Sequence, residues 1–469
     1  MQNAKMQLQR SDISHVPQPV SAYCMAHLSA LARRSGETYA MHCQEVASVL
    51  GEAMGDPALL SVAMLHDLPV HPDGKELLSR APIGDRERQL IAQMHSLRRL
   101  HIDESTRDLD TVIDAFLEQP ELLPLRMAHR VNDVRHLDRF TGTIRRQIAF
   151  ETLHMYAAIA GRLGMQKWRI EMEDICFPVL QPTIVAKLRK QYSDTSSLDN
   201  TCLEHTCRYL TRGLKTQGID AELSPRMKGL YSTYRKMILK DRAFHELTDR
   251  LAVRIIVPRV EDCYLALGVV HAIMRPMPGK LKDYIGAPKE NGYRSIHSVV
   301  YPLPGVTDLP IEIQIRTAEM QKDCEYGPAA HGEYKQTMYA LGSKPARVNL
   351  FRNLQSLRAE ASTPQQFEDA LRMYFREDHV AIFDHDNNLY HFKKPVSAMD
   401  FVCLVYPKQL LRLKEVCING RRRPIGTQLQ DGDTVEARFA REKLGRKEWL
   451  DACLHKSTRQ KLRDEIRKE

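Results

Sequence analysis

Apolar and polar residues alternate with period two from Ile311 to Thr317. Ile311, Ile313 and Ile315 fall on one side; Glu312, Gln314 and Arg316 fall on the other. This predicts a β-strand with one buried and one polar face. The polar face lines up an acid, an amide and a cation, as the wall of a phosphate-handling cleft would. A second strand is expected over 251–257 and a third over 294–301. Asp262 stands where it would cap a helix running through Met274, and another helix begins over 320–335. Strands separated by helices predict a mixed α/β domain over residues 221–340.

Upstream the period changes. Val46, Val49, Leu50 and Met54 recur at three and four positions, and residues 1–182 read as an all-helical domain. A polar Ser-Asp-Thr-Ser-Ser run at 193–197 marks residues 183–220 as a linker. A helical connector is expected over 341–378. Turn signals at Asp386-Asn387-Asn388, Asn419-Gly420 and Asp431-Gly432-Asp433 predict a small β-rich module over 379–440. A basic tail over 441–469 carries Trp449 and reads as a solvated helix, with RNA contact as the alternative. The fold class is multidomain α+β.

Composition narrows the class. At 469 residues, 43% hydrophobic and 27% charged, the chain has material for several cores. It lacks an apolar run of bilayer length, and its polar first 18 residues lack the centre of a signal peptide. Ten scattered cysteines suit a reducing cytoplasm. Cys202 and Cys207 flank His205, but no second ligand pair follows, so a zinc finger is not the reading. A net charge of +9 favours anionic partners such as nucleotides or RNA.

Candidate chemistry concentrates in the α/β region. Arg226, Lys228, Arg235 and Lys236 surround Ser232; placed on one helix, Lys228, Ser232, Arg235 and Lys236 would share a side. Forked guanidiniums and point-charge ammoniums together suit a polyphosphate. Asp249 precedes the strand that carries Arg254, a position suited to Mg²⁺. The Asn291-Gly292 turn would present Tyr293 for stacking on a purine, with Lys280, Lys282, Lys289 and His297 around a second set of phosphates. No GxxxxGK[ST] loop occurs, which argues against a P-loop enzyme. In the helical region, His42 precedes an adjacent His66-Asp67 pair, a divalent-metal arrangement.

In this order, Arg226-x-Lys228, Ser232, Arg235-Lys236, Asp249, Arg254, Lys282-Asp283-Tyr284-Ile285, Pro288-Lys289, Asn291-Gly292-Tyr293, Ser295-Ile296-His297, the Glu312–Thr317 strand and Glu325 resemble the synthetase domain of the RelA/SpoT homologue family. Ala329-Ala330-His331 and Tyr334-Lys335 extend the match, and Gly332 departs from it where many relatives carry tryptophan. The resemblance implies transfer of pyrophosphate from ATP to the 3′-hydroxyl of GDP or GTP, giving (p)ppGpp in a stringent-response-type pathway. It implies that Arg226 and Arg254 sandwich adenine, and that Lys228 and Lys236 hold the ATP phosphates. Asp249 and Glu312 would hold Mg²⁺, with Glu312 also orienting or deprotonating the hydroxyl. Tyr293 would stack on guanine, and Lys282, Lys289, Asn291, His297 and Gln314 would line the acceptor side. The basic Lys280-Leu281-Lys282-Asp283 segment is similar to that of members that also hydrolyse.

The helical region resembles the HD hydrolase domain of long family members, but where active relatives carry Glu-Asp this chain has Val70-His71. Where they carry Ala-Asp-Arg it has Ala128-His129-Arg130. The resemblance therefore implies a degenerate hydrolase. His42, His66, Asp67 and His129 are candidates to keep a metal, Mn²⁺ or another divalent ion. His71 or Asp73 is the candidate substitute for the lost acid. Residues 379–440 resemble a β-grasp-like TGS domain, but 406–414 holds no histidine for the tRNA contact that ribosome-associated relatives make. Ribosome or tRNA contact would then fall to Arg412, Lys414, Arg421 to Arg423 and the tail. With Glu469 as the last residue, the later regulatory modules of long members are expected to be absent, and no membrane partner is expected. Three alternatives stay open: a toxin-like relative modifying adenosine nucleotides or tRNA, a bifunctional synthetase/hydrolase, and a non-catalytic ribosome or RNA-binding regulator.

Overall fold

The computed structural model describes residues 15–33, 35–97, 115–116, 118–240, 243–247, 250–288, 293–301, 310–327, 357, 379–386, 388–430, 433–445 and 448–467. They belong to two compact units; the larger holds 1–108 and 114–347, and the smaller holds 109–113 and 348–469.

The larger unit begins with helices. These are α1 (Gln18–Leu28), α2 (Tyr39–Ala53), α3 (Pro57–Leu65), α4 (Gly74–Arg80), α5 (Asp85–Leu97), α6 (Leu122–Arg135), α7 (Gly142–Glu151), α8 (Ala157–Arg162) and α9 (Gln166–Leu180). Local chemistry sets their starts. Thr38 accepts a hydrogen bond from the Met41 amide at the head of α2, and Asp56 accepts from the Ala58 amide ahead of Pro57. The expected three-and-four spacing is the buried face of α2: Val46, Val49 and Leu50 are at most 1% exposed.

The expected linker is a correction. Residues Pro182–Thr216 form one continuous helix, α10, across the polar run at 193–197. Those polar residues serve a buried ion pair. Thr195 donates to Asp199 at 2.8 Å, and Arg250 donates to the same carboxylate at 2.9 Å. Farther along, Cys202, Leu203, Leu210 and Leu214 of α10 are part of the α/β core. Cys202 is therefore a packing residue.

That core lies under a five-stranded sheet of order β1-β2-β5-β4-β3, made of Glu222–Met227, Leu251–Val257, Pro276–Asp283, Ile296–Val300 and Ile311–Thr317 for β1 to β5. Strands β2 and β5 run parallel; the other pairs are antiparallel. Ile311, Ile313 and Ile315 are fully buried against α10 and α12 (Val260–Ile273), each worth about 2 kcal/mol of apolar burial. Helix α12 starts two residues before the expected cap. Asp262 lies inside its first turn and accepts both guanidinium contacts of Arg259. Helix α11 (Leu230–Lys240) starts after Lys228, and Arg226 is on β1. The basic cluster is thus split between a strand, a turn and a helix rather than sharing one helical face. Helix α13 (Ala318–Tyr326) ends at Gly327, whose φ of +57° and contact with the Leu163 carbonyl leave no room for a Cβ.

The smaller unit is a mixed sheet of order β7-β6-β10-β8-β9, from His379–Asp384, Leu389–Lys393, Leu413–Ile418, Arg421–Arg423 and Thr434–Phe439 for β6 to β10. Helix α14 (Ala398–Val405) supplies Phe401 to its core. The Asn419-Gly420 turn is realised with positive φ at both residues. The basic tail is not a free solvated helix. Its Trp449, Cys453 and Leu462 are buried in this core, on α15 (Trp449–Ala452), on α16 (Lys456–Arg467) and between them. The Leu454 and His455 amides donate to Asp400 at 3.0 and 3.2 Å, which fastens the segment to α14. Apart from Leu357, the 341–378 connector lies outside the described residues.

Candidate active site and candidate metal centre

The polar face of the five-stranded sheet opens on a cavity of about 720 Å³. Register explains what gathers there. Ser224 of β1 pairs with Arg254 of β2, Arg254 pairs with Gln314 of β5, and Gln314 pairs with His297 of β4. Paired residues share a face, so one row runs across four strands. Arg226, Lys228, Arg254, Tyr293, Glu312 and Gln314 all line the cavity. His297 stands one layer behind, its Nδ1 2.8 Å from Glu312 Oε1, while Gln314 donates to Glu312 Oε2 at 3.0 Å. Lys236 is on α11 and Lys282 on β3, and neither lines the cavity. Asp249, Lys289 and Asn291 lie outside the described residues.

Positive charge in the cavity is concentrated. Arg254 is held below the ordinary guanidinium range, first by burial and then by Arg226 and Arg316. An anion would relieve that repulsion. Arg254 donates to Ser224 at 3.1 Å and lies 3.9 Å from Glu325. Tyr293 is tied into this network more deeply than a turn-tip residue. Its hydroxyl accepts from Arg316 at 2.8 Å and lies 2.6 Å from His297 Nε2, and the Arg316 guanidinium sits 5.0 Å over its ring. Burial pushes its phenol up to about 12, so it stays protonated.

Seven further lining residues have no role assigned in the sequence analysis, although Arg316 and Glu325 stand among its motif positions. Arg316 carried its own signal, since it shares the β5 face with Glu312 and Gln314. Gln321 and Glu325 come from α13. Lys167, Arg169, Glu171 and Asp174 come from α9 of the helical region, which forms the far wall. No local pattern links α9 to the sheet; the approach is tertiary.

A second polar centre lies among α2, α3 and α6. The rings of His42, His66 and His129 stand 4.9–5.2 Å apart, centroid to centroid. Asp67 Oδ2 is 3.8 Å from the Nε2 atoms of both His42 and His66. The four expected metal residues therefore converge, and all are buried. Burial depresses the basicity of all three imidazoles, with His66 lowered to about 4. His71 and Asp73 do not join. His71 Nδ1 accepts from the Asp73 amide at 3.0 Å, and the Asp73 side chain is exposed.

Residues 225–339 match the region found in RelA/SpoT proteins, and residues 21–166 match the HD domain. The chain thus carries a region similar to RelA/SpoT proteins and, ahead of it, one similar to HD domains. It is 31% identical over 453 residues to a Synechocystis protein named probable guanosine-3′,5′-bis(diphosphate) 3′-pyrophosphohydrolase, covering 94% of this chain and 59% of that one. It is 29% identical to a GTP pyrophosphokinase of Myxococcus xanthus, covering 93% and 58%. The chain thus spans less than two thirds of these relatives. Among solved structures, small alarmone synthetase 1 from Bacillus subtilis bound to pppGpp is 22% identical and aligns over 37% of this chain and 100% of that one, with a TM-score of 0.26. The histidine centre falls within the HD match and the sheet face of the cavity within the RelA/SpoT match, while the α9 wall from Lys167 to Asp174 lies between the two. Among the described residues, no helix is long and apolar enough to cross a membrane.

Proposed function

We propose that the RelA/SpoT region transfers pyrophosphate from ATP to the 3′-hydroxyl of GDP or GTP. The observation that carries this is Glu312, hydrogen-bonded by His297 and Gln314 at the edge of a cavity that also holds Arg226, Lys228, Arg254 and Arg316. Transfer of a phosphoryl-type group is mostly positioning and charge neutralisation, and this is the arrangement it needs. The 3′-oxygen attacks the β-phosphorus of ATP, the bond from that phosphorus to the α,β-bridging oxygen breaks, and AMP leaves. Glu312 orients the hydroxyl and takes its proton. Arg226 and Arg254 hold adenine, and Lys228 and Lys236 the ATP phosphates. Tyr293 faces guanine, with Lys282, Lys289, Asn291, His297 and Gln314 on the acceptor side. The Glu312 carboxylate would hold a divalent cation, with Asp249 as the second protein ligand. Mg²⁺, when bound, offsets charge on the transferred group.

A second reading, hydrolysis of the product, is supported by the convergence of His42, His66, Asp67 and His129 and by the name of the Synechocystis relative. Against it, Val70 and His71 supply no carboxylate to activate water. We therefore assign the helical region a structural or regulatory role. We read the smaller unit as a TGS domain whose exposed β9 arginines meet RNA phosphates, and the protein as cytoplasmic.

The test is product analysis of the purified chain with Mg²⁺ and labelled ATP, offered GDP, GTP, AMP, ADP and deacylated tRNA in parallel. Label on GDP or GTP supports the proposal. Label on adenosine nucleotides or tRNA replaces it with the toxin-like reading, and no transfer favours the non-catalytic regulator.

A further inference from the structure

The histidine centre is wired for one class of cation. Its donors are three imidazoles and one carboxylate, and the hydrogen bonds behind the rings decide which nitrogens face inward. His66 Nδ1 lies 2.7 Å from the Ala63 carbonyl, which can only accept, so Nδ1 carries the proton and Nε2 keeps its lone pair. His129 Nδ1 lies 3.1 Å from Asp133 Oδ2, with the same result. His42 Nδ1 has two neighbours: Arg33 Nη1 at 2.6 Å, which can only donate, and Asn132 Oδ1 at 3.1 Å, an acceptor held in place by its amide's donation to Glu45 at 2.9 Å, so Nδ1 turns donor to Asn132 only when Arg33 moves off. Carbonyl, carboxylate and amide oxygens behind the imidazoles are the support that metal-binding histidines use. The Nε2 atoms of His42 and His66 are buried without a hydrogen-bond partner. A buried polar atom left so is costly, and a cation relieves it.

Access completes the picture. His42, Asp67, His66 and His129 are 0%, 1%, 4% and 7% exposed. Cys43 Sγ is 3.7 Å from His66 Nδ1, the nitrogen already engaged by Ala63, so it sits behind the ring rather than among the donors. Three mutually close imidazoles, with Asp67 Oδ2 3.8 Å from the Nε2 atoms of His42 and His66, offer the four donors of a tetrahedral shell in a closed pocket, which would leave no position for an attacking water. Nitrogen-rich sets suit zinc-like ions, whereas Mg²⁺ and Mn²⁺ favour oxygen and retained water.

We propose that His42, His66, Asp67 and His129 form a closed structural site for a zinc-type cation, and not a hydrolytic Mn²⁺ or Mg²⁺ site. Binding fixes the tautomers given above. Arg33, whose Nη1 approaches His42 Nδ1 at 2.6 Å, then withdraws toward Glu37, to which it already donates at 2.9 Å. The site stands apart from the nucleotide cavity and does not depend on the reaction proposed for it.

The test uses the whole chain, stripped with a chelator and then offered Zn²⁺, Co²⁺ or Mn²⁺ without nucleotide. Bound metal is measured by elemental analysis after gel filtration. Expected are about one Zn²⁺ per chain, loss of Mn²⁺ on the column, and with Co²⁺ the intense visible absorption of four-coordinate nitrogen-rich geometry. Asp133→Asn keeps all four donors and weakens Zn²⁺ retention about 10- to 100-fold. His66→Ala abolishes it, with circular dichroism to confirm that the helices persist. His129→Asp replaces one nitrogen donor by oxygen and moves preference toward Mn²⁺. Retention of Mn²⁺ over Zn²⁺ by the unaltered chain, a weak octahedral Co²⁺ spectrum, no retained metal, or Zn²⁺ held equally by folded His66→Ala would each overturn the proposal.

Discussion

His42, His66 and His129 and the row Arg254, Gln314 and His297 are both convergences of polar side chains inside one compact unit, yet they are made in opposite ways. The histidines come from helices or a helix end, share those helices with buried apolar residues such as Val46, Leu65 and Val131, and are themselves buried where little water reaches. The sheet row lines or backs an open cavity of about 720 Å³, where guanidiniums such as Arg226, Arg254 and Arg316 stand among the carboxylates Glu171, Asp174, Glu312 and Glu325. A sealed set of four donors can hold an ion but cannot exchange substrates. An open cationic face can admit a polyphosphate, act on it and release it. Binding and turnover are thus separated by access more than by residue type, since both centres contain histidine and carboxylate.

The sharpest way to break this contrast is Glu312→Gln. The change keeps volume and the sheet, but removes the charge that His297 and Gln314 orient. Transfer should fall by about 10²–10³-fold, the scale of losing one aligned electrostatic group, while the circular dichroism spectrum is unchanged. Asp249→Asn should behave alike. Near-normal rates in either variant would remove that carboxylate from the reaction.

Next in size is a change at the meeting of the two regions. Gly327 ends α13 at φ +57° against the Leu163 carbonyl. Gly327→Ala combines left-handed strain with a clash and should cost about 2 kcal/mol of stability, read by urea unfolding. A cost near zero would mean that this joint is loose and that α9 is a poor wall for the cavity.

Donor and acceptor sides of the cavity can be separated by a paired kinetic measurement. Arg254→Ala should raise KM for ATP about tenfold with little change for GDP, since Arg254 lies beside Arg226 on β1 and β2. Tyr293→Ala should do the reverse, because Tyr293 groups with Tyr284 and His297 at the β3–β4 edge. Equal effects of both variants on both substrates would argue that the cavity has no such division.

The contrast also explains what was legible in the chain. The sheet face could be read because period two is local: Glu312 and Gln314 alternate with buried isoleucines, and strands β2 and β5 fall where the pattern places them. The histidine centre could be read from an adjacent pair and an upstream partner. Three features could not be read. The polar run at 193–197 suggests a break, but Thr195 and Asp199 face a buried arginine 51 positions after Asp199. The tail reads as solvated because charge dominates its composition, while its few apolar residues, Trp449 and Leu462, decide the packing. Lys167 and Asp174 reach the cavity only because α9 packs beside the sheet. In each case the deciding partner is distant in sequence, and periodicity reports only on near neighbours.

The smallest effect tests the link between the two centres. Lys167 of α9 donates to Glu52 of α2 at 2.8 Å and to the Tyr326 hydroxyl of α13 at 2.5 Å, and its ammonium stands 4.9 Å from the Tyr326 ring centroid. One cation thus joins the helix that carries His42 to the helix that carries Glu325. The Lys167 side chain is 40% exposed, so solvent screens the pair. A double-mutant cycle of Lys167→Met and Tyr326→Phe should give a coupling of about 0.5 kcal/mol in unfolding free energy. The same cycle read on KM for ATP asks a different question. If stability couples but KM does not, α9 is a fixed wall and the sealed and open centres act independently. Coupling in both would mean that the Lys167–Tyr326 contact between α9 and α13 is felt on the ATP side of the cavity, through an interaction that costs little to shift.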